Sequence, residues 1–209
     1  MKKGIYTLIL VVFAWLQGSY TAQDMEIDDS FVFELGLPNG FVNAPFKNIM
    51  QGVVYVSPMY QYTLRSGLMF GAGVHYSYFN INQFRINQNI SGGMHNGAAF
   101  VKLGHEKFWT PSLATDIGVK AGFAQSAFVT DTLKSMGITY NSKQSAYIEP
   151  NIGICLAADV NASFRLTIGY AFYGFGYKPW DIGINSDLGY TPSELNKTTS
   201  YLIVGFGYS

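Results

Sequence analysis

The sequence predicts an all-β fold, an eight-stranded antiparallel up-and-down barrel that crosses a membrane with its strands. Three observations lead to this prediction. Bulky apolar residues alternate with small or polar ones in eight stretches, which is the period of a β-strand. The connections between these stretches are alternately long and short, as expected of long extracellular loops and short periplasmic turns. Charged residues inside the stretches all fall opposite the bulky apolar face, which keeps them away from lipid.

The N-terminus has the features of a secretory signal peptide. Lys2 and Lys3 precede an apolar run over 5–16, and small and polar residues follow as far as Ala22. The run is shorter than the roughly 20 apolar residues that a membrane-spanning helix needs. We therefore predict a signal peptide over 1–22, cleaved near Ala22–Gln23, and one barrel domain over 23–209.

Composition narrows the function classes. Charged residues make up 12% of the sequence and aromatic residues 16%, and the formal net charge is zero. A nucleic-acid-binding protein would carry a basic surplus or a basic stripe, so we expect no nucleic-acid partner. Cys155 is the only cysteine, so no internal disulfide is possible, and we expect a small residue packed in a strand.

The first four predicted strands cover 31–37, 54–62, 68–78 and 99–106. Long connections over 39–50 and 80–95 follow the first and third strands, and a tight turn at 65–67 follows the second. In the second strand, Pro58 lies on the bulky face with Tyr60 and Tyr62. Because proline cannot donate a ladder hydrogen bond, we predict a bulge or irregular pairing at Pro58.

The last four predicted strands cover 116–124, 148–157, 164–173 and 202–208. Their connections are short at 108–112 and 159–162 and long at 129–143 and 177–197. The closing strand places Leu202, Val204, Phe206 and Tyr208 on one face, opposite small residues. Neither face is charged, which is typical of a strand that faces lipid rather than water.

This ending, with alternating apolar residues that run to the aromatic Tyr208, resembles the C-terminal strand of bacterial outer-membrane barrels, although Ser209 follows the aromatic. With the eight-strand pattern, the whole mature chain resembles the small barrels of the OmpA/OmpX type. The resemblance implies a bacterial outer-membrane location, surrounding outer-membrane lipid, insertion through the last strand and a barrel without an open channel. We expect a monomer.

A soluble alternative is a lipocalin-like barrel, which also has about eight strands. Its apolar face would line a ligand cavity and its polar face would meet water. That arrangement would place large aromatic side chains in a small lumen that is already crowded, so we favour the membrane barrel.

Seven charged residues are predicted to point into the lumen. They are Glu34, Lys102, Glu106, Asp116, Lys120, Glu149 and Arg165. An eight-stranded barrel has an interior just wide enough for side chains to fill it, so the simplest interpretation is a mutually paired polar core. The alternative is a narrow, porin-like pore through the same residues.

A second alternative is a lipid A-modifying enzyme. His75 and Ser77 lie two apart on one strand face, as a base and a nucleophile could, and resemble the His-x-Ser of outer-membrane lipid A deacylases. Both are predicted to face the lumen, whereas an acyl chain approaches from lipid. Tyr78 stands where those enzymes carry Asn, and no carboxylate is placed to orient the histidine. We therefore predict no catalytic residues.

Metal and cofactor sites are not predicted, because His75, His95 and His105 lack ligand spacing. Binding residues are expected on loops that a rigid scaffold presents. The candidates are Phe84, Arg85, Tyr177, Trp180 and Asp181. These side chains either bind an envelope or extracellular protein or a glycan, or they pack over the barrel mouth. The function that we predict is a non-enzymatic outer-membrane barrel with surface loops for binding or an envelope-structural role.

Overall fold

The computed structural model describes residues 28–86, 88–159 and 162–209. Eight strands form one sheet that closes on itself, in the order of the sequence. The strands are β1 (Asp28–Gly40), β2 (Met50–Thr63), β3 (Leu68–Ile81), β4 (Gly92–Thr110), β5 (Leu113–Thr130), β6 (Asn141–Asp159), β7 (Ala162–Tyr173) and β8 (Ser200–Tyr208). The predicted signal peptide lies outside the described residues.

Closure depends on the first and last strands. β1 pairs antiparallel with β2 and with β8, where Leu35 lies opposite Phe206. β8 also pairs antiparallel with β7, so Phe206 lies opposite Leu166 as well. All other neighbours are antiparallel and consecutive. The predicted eight-stranded antiparallel up-and-down barrel is confirmed.

The two faces of the wall differ as the alternation predicts. On β4, Val101 is 63% exposed while Lys102, the next residue, is 3% exposed. On β8, Val204 and Phe206 are exposed and Ile203 is buried. Charged side chains of the strand interiors therefore lie inside the barrel, and large apolar side chains cover its outside.

The pairing at Pro58 is irregular, as predicted, but it is not a bulge: the ladder between β2 and β3 skips Ser57 and Pro58 between the pairs Val56–Tyr76 and Met59–Gly73. Pro58 lies opposite Phe33 of β1, and the β2–β3 register is the same on both sides of it. The register shift lies between Gly52 and Val54 instead. A side chain at Gly52 would place its Cβ 1.6 Å from the Pro38 carbonyl oxygen, so this close approach of two backbones requires glycine.

Strands β4, β5 and β6 are longer than the predicted stretches, because their loop-side halves continue the pairing past the clean alternation. The connections at this end of the barrel carry short helices. They are α1 (Ala44–Ile49), α2 (Asp131–Ser135), α3 (Pro192–Leu195) and two 3₁₀ turns, Gln83–Arg85 and Pro179–Ile182. We call this end the loop side and the opposite end the turn side. Among the described residues, no helix is long and apolar enough to cross a membrane.

Candidate functional site

The turn-side half of the lumen holds a cluster of charges around Asp116. Its Oδ2 atom lies 2.8 Å from Arg165 Nη1 and 3.3 Å from Lys102 Nζ. Arg165 Nη2 lies 3.9 Å from Glu106 Oε1, which is the longest ion pair of the described lumen. Gln61 Oε1 accepts hydrogen bonds from Lys102 and Arg165, so a neutral amide completes the cluster.

A second cluster lies around Lys120, which is completely buried. Its Nζ lies 2.7 Å from Glu34 Oε2 and 3.1 Å from Glu149 Oε1. The hydroxyls of Tyr55 and Tyr147 donate to Glu149 Oε2. Two neutral donors therefore supply the hydrogen bonds that one cation cannot give to two carboxylates, as a buried charge requires.

An aromatic layer crosses the lumen on the loop side of these charges. It consists of Tyr55, His75, Phe79, Tyr147, Tyr173 and Tyr201, all buried. Ring centroids are 4.6 Å apart for His75 and Tyr147 and 5.4 Å apart for Tyr147 and Tyr173. Tyr173 and Tyr201 are stacked at 5.4 Å. The contacts continue through Phe79 into the loops, so packed rings occupy the lumen at this level.

His75 and Ser77 lie within and beside this layer and do not form a nucleophile–base pair. His75 Nε2 lies 3.1 Å from the Tyr173 hydroxyl, and its Nδ1 has no hydrogen-bond partner in the described structure. Ser77 Oγ lies 3.1 Å from the Tyr201 hydroxyl instead. Both side chains are buried inside the barrel, away from its apolar outer surface.

The turn-side end of the lumen opens into a cavity of about 670 Å³. Its lining includes Gln61, Thr63, Glu106, Ala114, Cys155 and Arg165, and we call it the turn-side vestibule. Asp29 and Asp159 also line it. In the part of the chain that the structure describes, no group of three His, Cys, Asp or Glu residues could hold a metal ion.

The loops pack together into a cap whose buried apolar side chains continue the aromatic layer of the lumen. Phe46 of α1 lies 5.6 Å from Tyr177, ring to ring, and Tyr177 lies 5.9 Å from Phe128. Asn43 Nδ2 donates to the carbonyl of Lys197 at 2.7 Å, which joins the first loop to the last. The mouth is therefore covered by ordered structure rather than by separate loops.

The five loop residues predicted for binding divide into two groups. Phe84 is 101% exposed, Arg85 is exposed and Trp180 is 44% exposed. Tyr177 and Asp181 are instead buried at 0% and 2% exposure, which removes them from the surface that a partner could reach. Burial also raises the pKa of Tyr177 well above its usual value.

Asp181 joins two loops from inside the cap. Its Oδ2 lies 2.6 Å from Lys143 Nζ at the start of β6 and also accepts the backbone N–H of Lys178. Nearby, the backbone N–H and hydroxyl of Thr191 donate to Glu194 and lower the pKa of that carboxyl. The sequence left open whether these residues bind a partner or pack over the barrel mouth, because an irregular loop has no period that separates buried from exposed residues.

The loop side carries more cations than anions. Its described cations are Lys47, Arg85, Lys134, Lys143, Lys178 and Lys197, and its anions are Asp131, Asp181, Asp187 and Glu194. Lys47, Arg85, Lys134 and Lys197 are exposed. The cap therefore presents a modestly basic surface beside the exposed rings of Phe84 and Trp180.

Comparison with known proteins gives structural matches alone: no protein-family model matches the chain, and no curated protein matches it. The crystal structure of Ail, the attachment invasion locus protein of Yersinia pestis, in complex with the heparin analogue sucrose octasulfate, has a TM-score of 0.52 at 12% identity. That match covers 88% of this chain and 99% of Ail. Neisserial surface protein A (NspA) has a TM-score of 0.49 at 10% identity, over 87% of this chain and 97% of NspA. Ail is described as an outer membrane protein. This chain therefore has the fold of the small eight-stranded outer-membrane β-barrels.

Proposed function

We propose that this chain is a non-enzymatic β-barrel protein of a bacterial outer membrane that presents its loop cap for binding. The observation that carries the proposal is the inverted distribution of side chains. Every strand exposes large apolar residues on the outside of the barrel, while the charged residues of the strand interiors are buried in the lumen. A water-soluble monomer rarely exposes apolar patches larger than a few hundred Å². A continuous apolar surface around a closed barrel suits lipid.

The aromatic layer argues against the porin-like alternative. Three side chains of this layer, Tyr147, Tyr173 and Tyr201, are each at most 2% exposed. They occupy the lumen on the loop side of the charged clusters. A conducting path would have to pass through these packed rings. The arrangement of His75 and Ser77 argues against a lipid A-modifying enzyme. The hydroxyl of Ser77 is hydrogen-bonded to that of Tyr201 rather than to His75, and both side chains are buried in the lumen.

Membrane location has a direct test. The protein from isolated outer membranes is run on a gel with and without boiling, because folded barrels resist detergent and migrate differently until heated. A mobility shift in the outer-membrane fraction is the expected result. Recovery in the soluble periplasmic fraction without a shift would contradict the membrane location.

For the partner of the loop cap we propose an anionic glycan. The basic surplus of the loops and the exposed rings of Phe84 and Trp180 suit a sulfated or phosphorylated sugar. The complex of Ail with a heparin analogue gives a precedent on the same fold. An extracellular or envelope protein is the alternative partner, and the exposed Phe84 ring would suit it equally.

Retention of the refolded protein on immobilised heparin tests the glycan. Arg85→Gln and Lys134→Gln should elute at lower salt than the unchanged chain, since each removes one exposed loop cation. Arg65→Gln is the matched control, because Arg65 is exposed in the turn between β2 and β3 at the opposite end. Equal elution of all variants would contradict a loop-side glycan site.

A further inference from the structure

Residues 141–145 at the start of β6 project beyond β7 on the loop side, and we call them the β6 overhang. They pair with residues 124–128 of β5. On the other side, β6 pairs with β7 only from Tyr147 onward, and one further hydrogen bond runs from the backbone N–H of Gly174 to the carbonyl of Ala146 at 3.1 Å. Among the described residues, the β6 overhang therefore has a neighbouring strand on its β5 side alone.

One hydrogen bond shows which backbone groups lie on the open side of the β6 overhang. In a β-strand, the N–H and C=O groups of one residue point to one side, and those of the next residue point to the other. Because the carbonyl of Ala146 points towards β7, the backbone groups of Ser142 and Gln144 point that way too. Within the described ranges, no backbone or side-chain group forms a hydrogen bond with these groups of Ser142 and Gln144. They have the spacing of donors and acceptors in a β-ladder.

The features that usually protect an edge strand are missing from the β6 overhang. Natural edges are blocked by charged side chains, by proline, by bulges or by a covering segment. The outward side chains here are Ser142 and Gln144, which are uncharged and exposed. Lys143 points inward, where its Nζ pairs with Asp181 at 2.6 Å, and the β6 overhang contains no proline. Another strand can therefore pair with this edge without displacing a charge.

We propose that the β6 overhang binds an extended peptide segment of a partner protein, which joins the sheet as an added strand. At about 3.3 Å per residue, the overhang matches a segment of about five residues. Main-chain hydrogen bonds supply the affinity in this mode of binding, and neighbouring side chains supply the specificity. Ile138 and Tyr140, just before the overhang, are 43% and 56% exposed and offer apolar contacts at one end. An uncharged segment that alternates apolar and polar residues fits both features.

A second copy of this chain fits the β6 overhang less well than a peptide does. Two copies in one membrane have the same orientation, so their overhangs can meet only as parallel strands. A free peptide can pair in the antiparallel direction, which is slightly more stable per residue. This comparison rests on the proposed outer-membrane location, whereas the peptide site itself is separate from the basic surface proposed for the glycan.

The test is an NMR titration of the whole refolded chain in detergent micelles with the peptide acetyl-Lys-Thr-Val-Thr-Val-Thr-Val-Lys-amide. The amide signals of Ser142 and Gln144 should shift saturably, and their hydrogen exchange should slow at least about tenfold when the peptide is bound. The amide of Lys143, which faces β5, is the internal reference. The absence of a saturable shift would overturn the proposal. The same slowing in concentrated protein without peptide would also overturn it, because a second copy would then occupy the edge.

Two substitutions at one position separate the backbone from the side chain. Gln144→Pro removes the N–H on the open side, and an edge strand tolerates proline where the N–H is unpaired, so the barrel should still fold. Its affinity for the peptide should fall about tenfold, while Gln144→Ala, which keeps the N–H, should bind like the unchanged chain. The heat-dependent gel shift checks the folding of both variants. Equal affinities of the two variants would contradict pairing at this edge.

Arg85→Gln distinguishes this site from the glycan surface. It should weaken retention on heparin and leave peptide binding unchanged, because Arg85 lies between β3 and β4, outside the β6 overhang. Loss of peptide binding in Arg85→Gln would place the peptide on the basic surface and overturn the edge site.

Discussion

The ammonium of Lys120 on β5 lies 2.7 Å from the carboxylate of Glu34 on β1, directly across the lumen. The two strands lie on opposite sides of an eight-stranded barrel, so this ion pair links walls that share no backbone hydrogen bond. Lys120 also pairs with Glu149 on β6. Lys120 therefore pairs with two buried carboxylates and links strands β1, β5 and β6.

Lys120→Met should therefore destabilise the barrel strongly. The variant keeps most of the side-chain volume but leaves Glu34 and Glu149 buried without their cation, which costs about 3–5 kcal/mol in free energy of unfolding. Urea unfolding in lipid, followed by the heat-dependent gel shift, measures the loss. Lys134→Met, at an exposed position of a loop, should change stability far less. Equal effects of the two substitutions would mean that the Lys120 pairs contribute no stability.

The aromatic layer should keep the lumen closed to ions. The unchanged chain is expected to give no conductance steps in a planar bilayer, because packed rings leave no continuous water path. Removing two rings with Tyr147→Ala and Tyr201→Ala together should open a path above the charged clusters and produce small steps. If the unchanged chain gave conductance steps of the same size as those of the double variant, the porin-like pore would be the better-supported function.

The cost of a charge on the outer wall should depend on its depth in the membrane. Val101 lies near the middle of β4 and is 63% exposed on the surface that we propose faces lipid, so Val101→Lys should cost about 2–4 kcal/mol. Gln125→Lys, on the same outer face near the loop side, should cost about 0–1 kcal/mol. Refolding yield and urea stability in lipid vesicles compare the two. Similar small costs at both positions would place Val101 in water.

Alternation predicts which way Lys120 points but not what it meets. Lys120 points inward because its neighbours Val119 and Ala121 lie on the outer face and successive side chains of a strand point to opposite faces. Its partner Glu34 depends on the stagger of the strands around the closed barrel, and no local pattern encodes that stagger. The same holds for the turn-side vestibule. The alternation predicts that Glu106 and Arg165 point inward, but it does not predict that their charged groups lie 3.9 Å apart.

The loops were predicted less well than the wall, for a different reason. Trp180 and Asp181 are neighbours in sequence, yet one is 44% exposed and the other 2%. The 3₁₀ turn over Pro179–Ile182 rotates successive side chains to different sides, and the packing of other loops decides which side is buried. Composition alone therefore identified a loop of interest without separating its surface from its core.

The buried ion pair between Asp181 and Lys143 should hold the last loop against the barrel. Asp181→Asn keeps the shape but removes the charge that accepts from Lys143 Nζ and from the Lys178 N–H, so local opening of the cap should become easier by about 1–3 kcal/mol. Hydrogen exchange of the backbone amides over 177–184 measures this change while the strands serve as an internal reference. Asp187→Asn, an exposed residue of the same loop, is the matched control and should leave exchange nearly unchanged. Faster exchange in both variants alike would indicate that general loop charge, rather than the Lys143 contact, orders the cap.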